Sequence, residues 1–169
     1  MRPDGGPARG WRGARVAISP DSEIVFEPAT EYHLTAVSAL LHSAGLVPLD
    51  ETSQFGEQYV VAQLDGEVLG VAGIEIHGAD GLLRSVAVDA EFRSQGIGAA
   101  LVEDRLDYAR SLGLRGVYLL TTTAPGWFER LGFERVDRTA APEPVAASQE
   151  WSHACPSSSV AMRLLLRPT

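Results

Sequence analysis

Six consecutive residues have the types and spacing that bind a phosphate group. They are Arg93, Ser94, Gln95, Gly96, Ile97 and Gly98, in the order Arg-x-x-Gly-x-Gly, and an amphipathic segment follows them. The first amides of a helix lack intrahelical partners and carry partial positive charge, so a helix that begins here attracts an anion. Gly96 and Gly98 lack a Cβ and let amides approach closely, and Arg93 adds a guanidinium. We predict a diphosphate site.

Two other glycine-rich loops do not fit this stretch. A Walker A loop ends in Gly-Lys followed by Ser or Thr, and a dinucleotide fingerprint has a third glycine within a βαβ unit. The stretch, with Arg84-Ser85-Val86-Ala87-Val88 before it, instead resembles the acetyl-CoA-binding motif of the GNAT N-acetyltransferases. The alternative is a helix start with two flexible glycines. The segment at residues 127–133, WFERLGF, favours the GNAT resemblance.

Composition limits the class of protein. A chain of 169 residues suits one domain, and a net charge of −8 argues against a general nucleic-acid binder. The single cysteine, Cys155, excludes an intrachain disulfide and a cysteine-based zinc site. No apolar run approaches the roughly 20 residues of a membrane span. We expect a soluble cytoplasmic protein, with a disordered tail at residues 1–20, rich in Gly, Pro and Arg, before a domain at residues 21–169.

Periodicity and turn residues predict the elements that position the diphosphate site. Thr30 can cap a helix over residues 31–44 that Gly45 closes, and Asp65-Gly66 predicts a hairpin. A further helix follows the glycines and ends near Gly113. The predicted strands are residues 22–27, 58–64, 67–76, 82–88, 117–121, 133–136 and 160–166, with a short helix at 125–131 and a loop or helical turn at 140–152.

This order of elements resembles the GNAT fold, which is α/β (α+β) with a mixed central sheet of six to seven strands and helices on both faces. The resemblance implies that two strands splay and that pantetheine lies between them, paired with backbone at Val86 and Val88. Residues 93–98 would hold the pyrophosphate of acetyl-CoA, and an N–H near Val86 would stabilise the oxyanion. Phe128 would lie near the thioester, at a position where the family often has a tyrosine acid. Phenylalanine cannot donate a proton.

Two further resemblances concern the acceptor of the acetyl group. Residues 118–128, YLLTTTAPGWF, are similar to the GNAT domain of N-acetylglutamate synthases. Residues 150–162, with Cys155-Pro156-Ser157-Ser158-Ser159-Val160-Ala161-Met162, are similar to stand-alone arsenic-resistance N-acetyltransferases, which are associated with arsinothricin, a glutamate mimic. Both resemblances imply acetylation of the α-amine of a small glutamate-like acid.

Arg84 is the candidate for binding an acid group of that acceptor. It precedes Val86 by two residues, so regular strand alternation predicts that both side chains share a face. The alternative is a surface arginine at the sheet edge. Thr121, Thr122 and Ser158 are weaker candidates for substrate binding, because hydroxyls at strand ends are commonly turn or cap residues.

Glu75 is the candidate general base, because an acid on an apolar strand can have its pKa raised towards neutrality. The alternative is an acid that faces solvent at the strand exit. His33, His42, His77 and His153 lack metal-ligand spacing, so we predict no metal site. Cys155 fits a semi-buried structural thiol or a residue of the acceptor site.

Two other functions are consistent with the sequence. One is acetylation of a protein or peptide amine, which the negative net charge permits. The other is a non-catalytic acyl-CoA-binding sensor, because the tyrosine acid is missing. The expected partners are a small amino acid, with no nucleic acid and no membrane, and a homodimer is left open.

Overall fold

A mixed sheet forms the centre of the protein in the computed structural model, which describes residues 15–19, 22–46, 56–154 and 158–166. These residues contribute eight strands: β1 Arg15–Ser19, β2 Ser22–Ala29, β3 Gly56–Leu64, β4 Glu67–His77, β5 Asp80–Val88, β6 Gly116–Thr121, β7 Glu134–Val136 and β8 Val160–Leu165. Their order in the sheet is β1-β2-β3-β4-β5-β6-β8-β7. Within the described chain, β5 and β6 are the parallel pair and the other neighbours are antiparallel.

Helices cover both faces of this sheet, as predicted. They are α1 Leu34–Ser43, α2 Ile97–Ser111, α3 Pro125–Arg130 and α4 Glu143–Ala146, and a π-helical turn spans Glu150–Ala154. Ile97, Leu101 and Leu106 of α2 pack on one face, with Phe128 of α3 beside them. Val37 and Leu41 of α1 lie on the opposite face, where α4 and the π-helical turn also pack. The predicted α/β architecture, a mixed central sheet with helices on both faces, is confirmed.

Local sequence explains several element boundaries. The β3–β4 hairpin turns at Asp65 and Gly66, whose φ angles of 51° and 84° match the left-handed pair of a type I′ turn. The Thr30 N–H donates to His33 Nδ1 at 2.9 Å, where a 3₁₀ turn leads into α1. Gly113 (φ 75°) follows α2 as predicted, because a glycine tolerates the left-handed conformation that ends a helix.

The prediction of a tail over residues 1–20 is wrong for Arg15–Ser19. This segment pairs antiparallel with β2, and it raises the strand count above the predicted six to seven. Composition favoured a tail, but Val16 and Ile18 are β-branched residues of the kind that is enriched in strands. Residues 1–14 and 47–55 lie outside the described part of the chain, and so does Cys155.

The two strands beside the diphosphate loop separate, as the resemblance implied. Pairing between β5 and β6 covers only Asp80–Leu82 with Gly116–Tyr118. Beyond these residues the strands diverge, and β6 pairs on its other side with β8 along its whole length. The divergence opens a cleft at the carboxyl ends of two parallel strands, a common place for a ligand site in mixed sheets.

Candidate active site

A cleft of about 620 Å³ lies between the diverging ends of β5 and β6. One wall is the end of β5, residues 83–88, and the other is residues 119–124 at the end of β6. The start of α2 closes one side, and Trp127 and Phe128 of α3 close another. Ala44, Gly45 and Leu46, which follow α1, also line the cleft.

Residues 93–98, the phosphate loop, lie at the edge of this cleft. Ser94 and Gly96 have φ angles of 67° and 84°, and Gly96 is the residue that precedes α2. The first turn of α2 therefore presents its amides to the cleft, and the helix adds partial positive charge there. Arg93 donates from Nε to the Val88 carbonyl oxygen at 3.2 Å. All six predicted residues except the exposed Gln95 line the cleft.

The two glycines of the phosphate loop have different roles: Gly96 adopts a positive φ, and Gly98 leaves space for a neighbouring side chain. A Cβ on Gly98 would meet Trp127 at 3.1 Å, whereas a Cβ on Gly96 would meet no atom within 4 Å. The Trp127 ring also makes an edge-to-face contact with Phe128, with centroids 4.8 Å apart. Trp127 thus joins α3 to the phosphate loop, and Phe128 lines the cleft beside it. A position of Phe128 next to a thioester stays a prediction.

A bulge in β5 changes the predicted direction of Arg84. Val71 of β4 pairs with Ala87 and Gly73 with Arg84, so β5 has one residue more than β4 across this interval. Ser85, at the bulge, has a φ of 59°. The expectation that Arg84 and Val86 share a face is therefore wrong.

The two side chains lie on opposite faces of the sheet. Val86 packs with the residues beneath α2. Arg84 instead contacts groups on the face of α4 and the π-helical turn. Both residues still line the cleft, because the bulge lies where β5 leaves β6.

Arg84 is the centre of a buried charged cluster with Glu75, Glu150 and His77. Arg84 Nη1 donates to Glu75 Oε2 at 2.6 Å, and Arg84 Nε lies 3.4 Å from Glu150 Oε1. Arg84 Nε donates to the Ser85 hydroxyl at 3.2 Å. His77 Nε2–H donates to Glu75 Oε1 at 2.8 Å. The side chains of Arg84, Glu150 and Glu75 are only 2%, 7% and 16% exposed. The alternative of a surface arginine is excluded.

The expected rise in the pKa of Glu75 is wrong. Burial alone would raise it, but hydrogen bonds from His77 and Arg84, and the charge of Arg84, bring the pKa of Glu75 below its ordinary value. Glu75 is also not among the residues that line the cleft. The pKa of Glu150, the other acid beside Arg84, shifts in the opposite direction.

Glu150 has a pKa of about 7. Burial raises it, the charge of Arg84 opposes the rise, and the neighbouring Glu75 adds to it. Glu150 lies at the start of the π-helical turn and lines the cleft. Sequence reasoning missed this residue, because residues 140–152 showed no periodicity that fixes a side-chain direction. The available hint was an acid directly before Trp151, a residue type that is usually buried.

The predicted hydroxyl candidates have different surroundings. Thr121 and Thr122 line the cleft, and Thr121 Oγ1 accepts a hydrogen bond from the Ala124 N–H at 3.2 Å, which is a turn contact. Ser158 is exposed and does not line the cleft, whereas its neighbour Ser159 does. No three potential metal ligands converge within the described residues.

Comparison with known proteins shows which domain this chain resembles. Residues 55–135 match the family model described as "Acetyltransferase (GNAT) domain". The structure resembles that of N-acetylglutamate synthase from Neisseria gonorrhoeae, solved with coenzyme A and N-acetyl-glutamate. The TM-score is 0.75 at 20% identity, over 85% of this chain and 35% of the synthase. Residues 55–135, just under half of the chain, thus match a domain of the GNAT acetyltransferases, and the chain has the fold class of that family, as predicted.

Two sequence relatives carry acetyltransferase names. An amino-acid acetyltransferase of Mycobacterium tuberculosis is 35% identical over 109 residues, which are 62% of this chain and 60% of the relative. An uncharacterized N-acetyltransferase of Chlorobaculum tepidum is 32% identical over 88 residues, 52% of this chain and 56% of the relative. The matched part therefore spans under two thirds of each relative. None of the described helices has the length and apolar character of a membrane span.

Proposed function

We propose that the protein transfers the acetyl group of acetyl-CoA to the α-amino group of a small glutamate-like amino acid, glutamate or arsinothricin. The observation that carries this proposal is one cleft that has a phosphate loop at its edge and, in its wall, a buried arginine that is ion-paired with two carboxylates. The loop suits the diphosphate of the cosubstrate, and the arginine suits an acid group of the acceptor.

The phosphate loop fits acetyl-CoA on grounds of backbone geometry. The positive φ of Gly96 lets the first amides of α2 line the cleft, and the space beside its Cα is open. We propose that these amides and Arg93 hold the pyrophosphate. Val86 and Val88, on the strand edge that β6 leaves, would pair with the pantetheine amides as an added strand does.

The reaction forms a C–N bond and breaks a C–S bond. The neutral amine attacks the thioester carbonyl, an N–H near Val86 stabilises the oxyanion, and the thiolate leaves as the tetrahedral intermediate collapses. The attacking nitrogen then loses one proton to give the amide, and the thiolate gains one. Because Phe128 cannot donate a proton, we propose that water supplies the thiolate proton.

The relatives support an amino-acid acceptor, since one is named an amino-acid acetyltransferase and the synthase was solved with N-acetyl-glutamate. Arg84 lines the cleft, and its contact to Glu150 is the longer of its two ion pairs, 3.4 Å against 2.6 Å. We propose that an acid group of the acceptor binds Arg84 at the side that faces Glu150. Thr121 and Thr122 would lie beside the bound acceptor. A cytoplasmic location and a homodimer stay predictions.

Acetyl-CoA turnover with glutamate, arsinothricin, tyramine and a short peptide tests the proposal. We expect turnover with the two acids, and a loss of at least tenfold in kcat/KM in Arg84→Lys, because lysine lacks the planar fork that binds an acid group in bidentate fashion. The Kd for acetyl-CoA should not change, which also serves as the folding control.

Other results would favour the rival functions. Equal turnover of tyramine or the peptide by both proteins, with none of either acid, would contradict the acceptor assignment and favour protein acetylation. Tight binding of acetyl-CoA without turnover of any amine would favour the sensor.

A further inference from the structure

We propose that Glu150 is the base that takes the proton from the acceptor's ammonium group. This inference rests on the proposed function, and it names a catalytic residue that differs from the sequence candidate Glu75. Among the described residues that line the cleft, Glu150 is the one acid.

The contacts of the two acids differ in strength. Both oxygens of Glu75 accept short hydrogen bonds, from Arg84 at 2.6 Å and from His77 at 2.8 Å. Glu150 has a 3.4 Å ion pair with Arg84 Nε, and that N–H donates to the Ser85 hydroxyl instead. A proton on Glu75 would disrupt two charge-assisted hydrogen bonds, whereas a proton on Glu150 weakens one long ion pair. Proton uptake is therefore easier at Glu150.

The groups that face Glu150 set its basicity. Arg84 lies on β5, Glu75 on β4 and Tyr59 on β3, and His77 of β4 contacts Glu75. Burial raises the pKa of Tyr59 above its ordinary value, so near neutral pH it is a neutral hydroxyl and not a base. Burial and Glu75 together outweigh Arg84 and bring the pKa of Glu150 to about 7. A base with a pKa near the working pH is the most effective in proton transfer.

The proton balance of the step is complete. The acceptor's ammonium group gives one proton to the Glu150 carboxylate and becomes a neutral amine. That amine attacks the thioester carbonyl, the C–N bond forms, and the C–S bond breaks. The second nitrogen proton is lost to water, and water protonates the departing thiolate. Glu150 then returns its proton to solvent through the open cleft, so each turnover releases one proton.

Substitution of Glu150 by glutamine tests this role. At pH 7 we expect Glu150→Gln to lower kcat for glutamate by about 10²- to 10⁴-fold, the usual contribution of a general base. The wild-type profile should fall below about pH 7, as Glu150 becomes protonated. The variant should instead gain about tenfold per pH unit up to the pKa of the amine, because only the free amine reacts.

Asp104→Asn is the matched control. Asp104 is also a buried acid that contacts an arginine, at 2.7 Å from Arg105 Nη2, and burial raises its pKa. It does not line the cleft. We expect this variant to keep the wild-type pH profile and the wild-type Kd for acetyl-CoA.

The outcomes separate the inference from the proposed function. Turnover by Glu150→Gln with the wild-type pH profile would overturn the base assignment and leave the acetyltransferase function intact. Loss of the low-pH limb in Glu75→Gln, with the limb retained in Glu150→Gln, would move the role to Glu75. No turnover of any amine by the wild type would overturn the proposed function itself.

Discussion

Gly96 and Gly113 flank the two ends of α2 in nearly the same backbone conformation. Their φ angles are 84° and 75°, and a Cβ at either position would meet no atom within 4 Å. An alanine at either site therefore carries the same cost of a left-handed conformation, about 1–2 kcal/mol. They differ in surroundings, because Gly96 lines the cleft and Gly113 lies at the far end of the helix.

The pair gives a matched test of the phosphate loop. We expect Gly96→Ala to raise the Kd for acetyl-CoA at least tenfold, because the loop must relax away from the conformation that presents its amides. Gly113→Ala should lose similar stability and keep its affinity. Isothermal titration calorimetry with acetyl-CoA, alongside urea denaturation of both variants, makes the comparison. An equal affinity for both variants would place the diphosphate elsewhere.

At the scale of elements, the neighbouring strands β3, β4 and β5 contribute paired residues next to the charged cluster of Arg84. Tyr59 of β3 pairs with Gly73 of β4, and Gly73 pairs with Arg84 of β5. Because Gly73 has no side chain, the Tyr59 ring crosses over it towards Arg84 and Ser85. A Cβ on Gly73 would overlap the Tyr59 ring. Gly73 thus leaves the space in which the Tyr59 ring packs next to Arg84 and Ser85.

Replacement of Gly73 by alanine should destabilise the fold by about 1–3 kcal/mol, the usual cost of overpacking a core. Tyr59 is fully buried, so its ring has little room to move aside. Gly126→Ala is the control, since its Cβ would meet nothing within 4 Å and its φ is ordinary. Urea denaturation measures both variants. A Gly73→Ala protein as stable as the Gly126→Ala protein would contradict this account of the strand packing.

The sequence predicted the elements better than it predicted the site. Turn residues such as Asp65-Gly66 and Gly113 act locally, so they located the hairpin and the end of α2. The bulge at Ser85 depends on pairing between β4 and β5, which no local pattern of β5 specifies. That bulge reversed the face of Arg84. Glu150 was missed because its neighbours come from distant strands, and its basicity arises only when folding buries it.

At the scale of the whole molecule, folding buries an acid, Glu150, whose ion pair with Arg84 does not offset the effect of burial on its pKa. The native protein keeps the proton of Glu150 up to about pH 7, whereas the unfolded chain loses it near the ordinary value of 4.5. Between these values the native state binds more protons than the unfolded state. The contribution of Glu150 to stability is therefore greatest below pH 4.5 and is lost as the pH rises to 7. Acids with a raised pKa in active sites commonly lower the stability of the folded protein at neutral pH in this way.

A comparison of the wild type with Glu150→Gln should show this dependence, because glutamine does not titrate. We expect the free energy of unfolding of the wild type, measured relative to the variant, to fall by roughly 1 kcal/mol per pH unit from pH 5 to 7. The difference should then level off above pH 7, where Glu150 is ionised in both states.

Urea denaturation at pH 5, 6, 7 and 8 in one buffer series of constant ionic strength gives the measurement. Asp104→Asn, measured in the same series, separates Glu150 from a second buried acid whose pKa is also raised. A difference between wild type and Glu150→Gln that stays constant from pH 5 to 8 would mean that Glu150 titrates as it does in the unfolded chain. Its assignment as a base matched to neutral pH would then lose its physical basis.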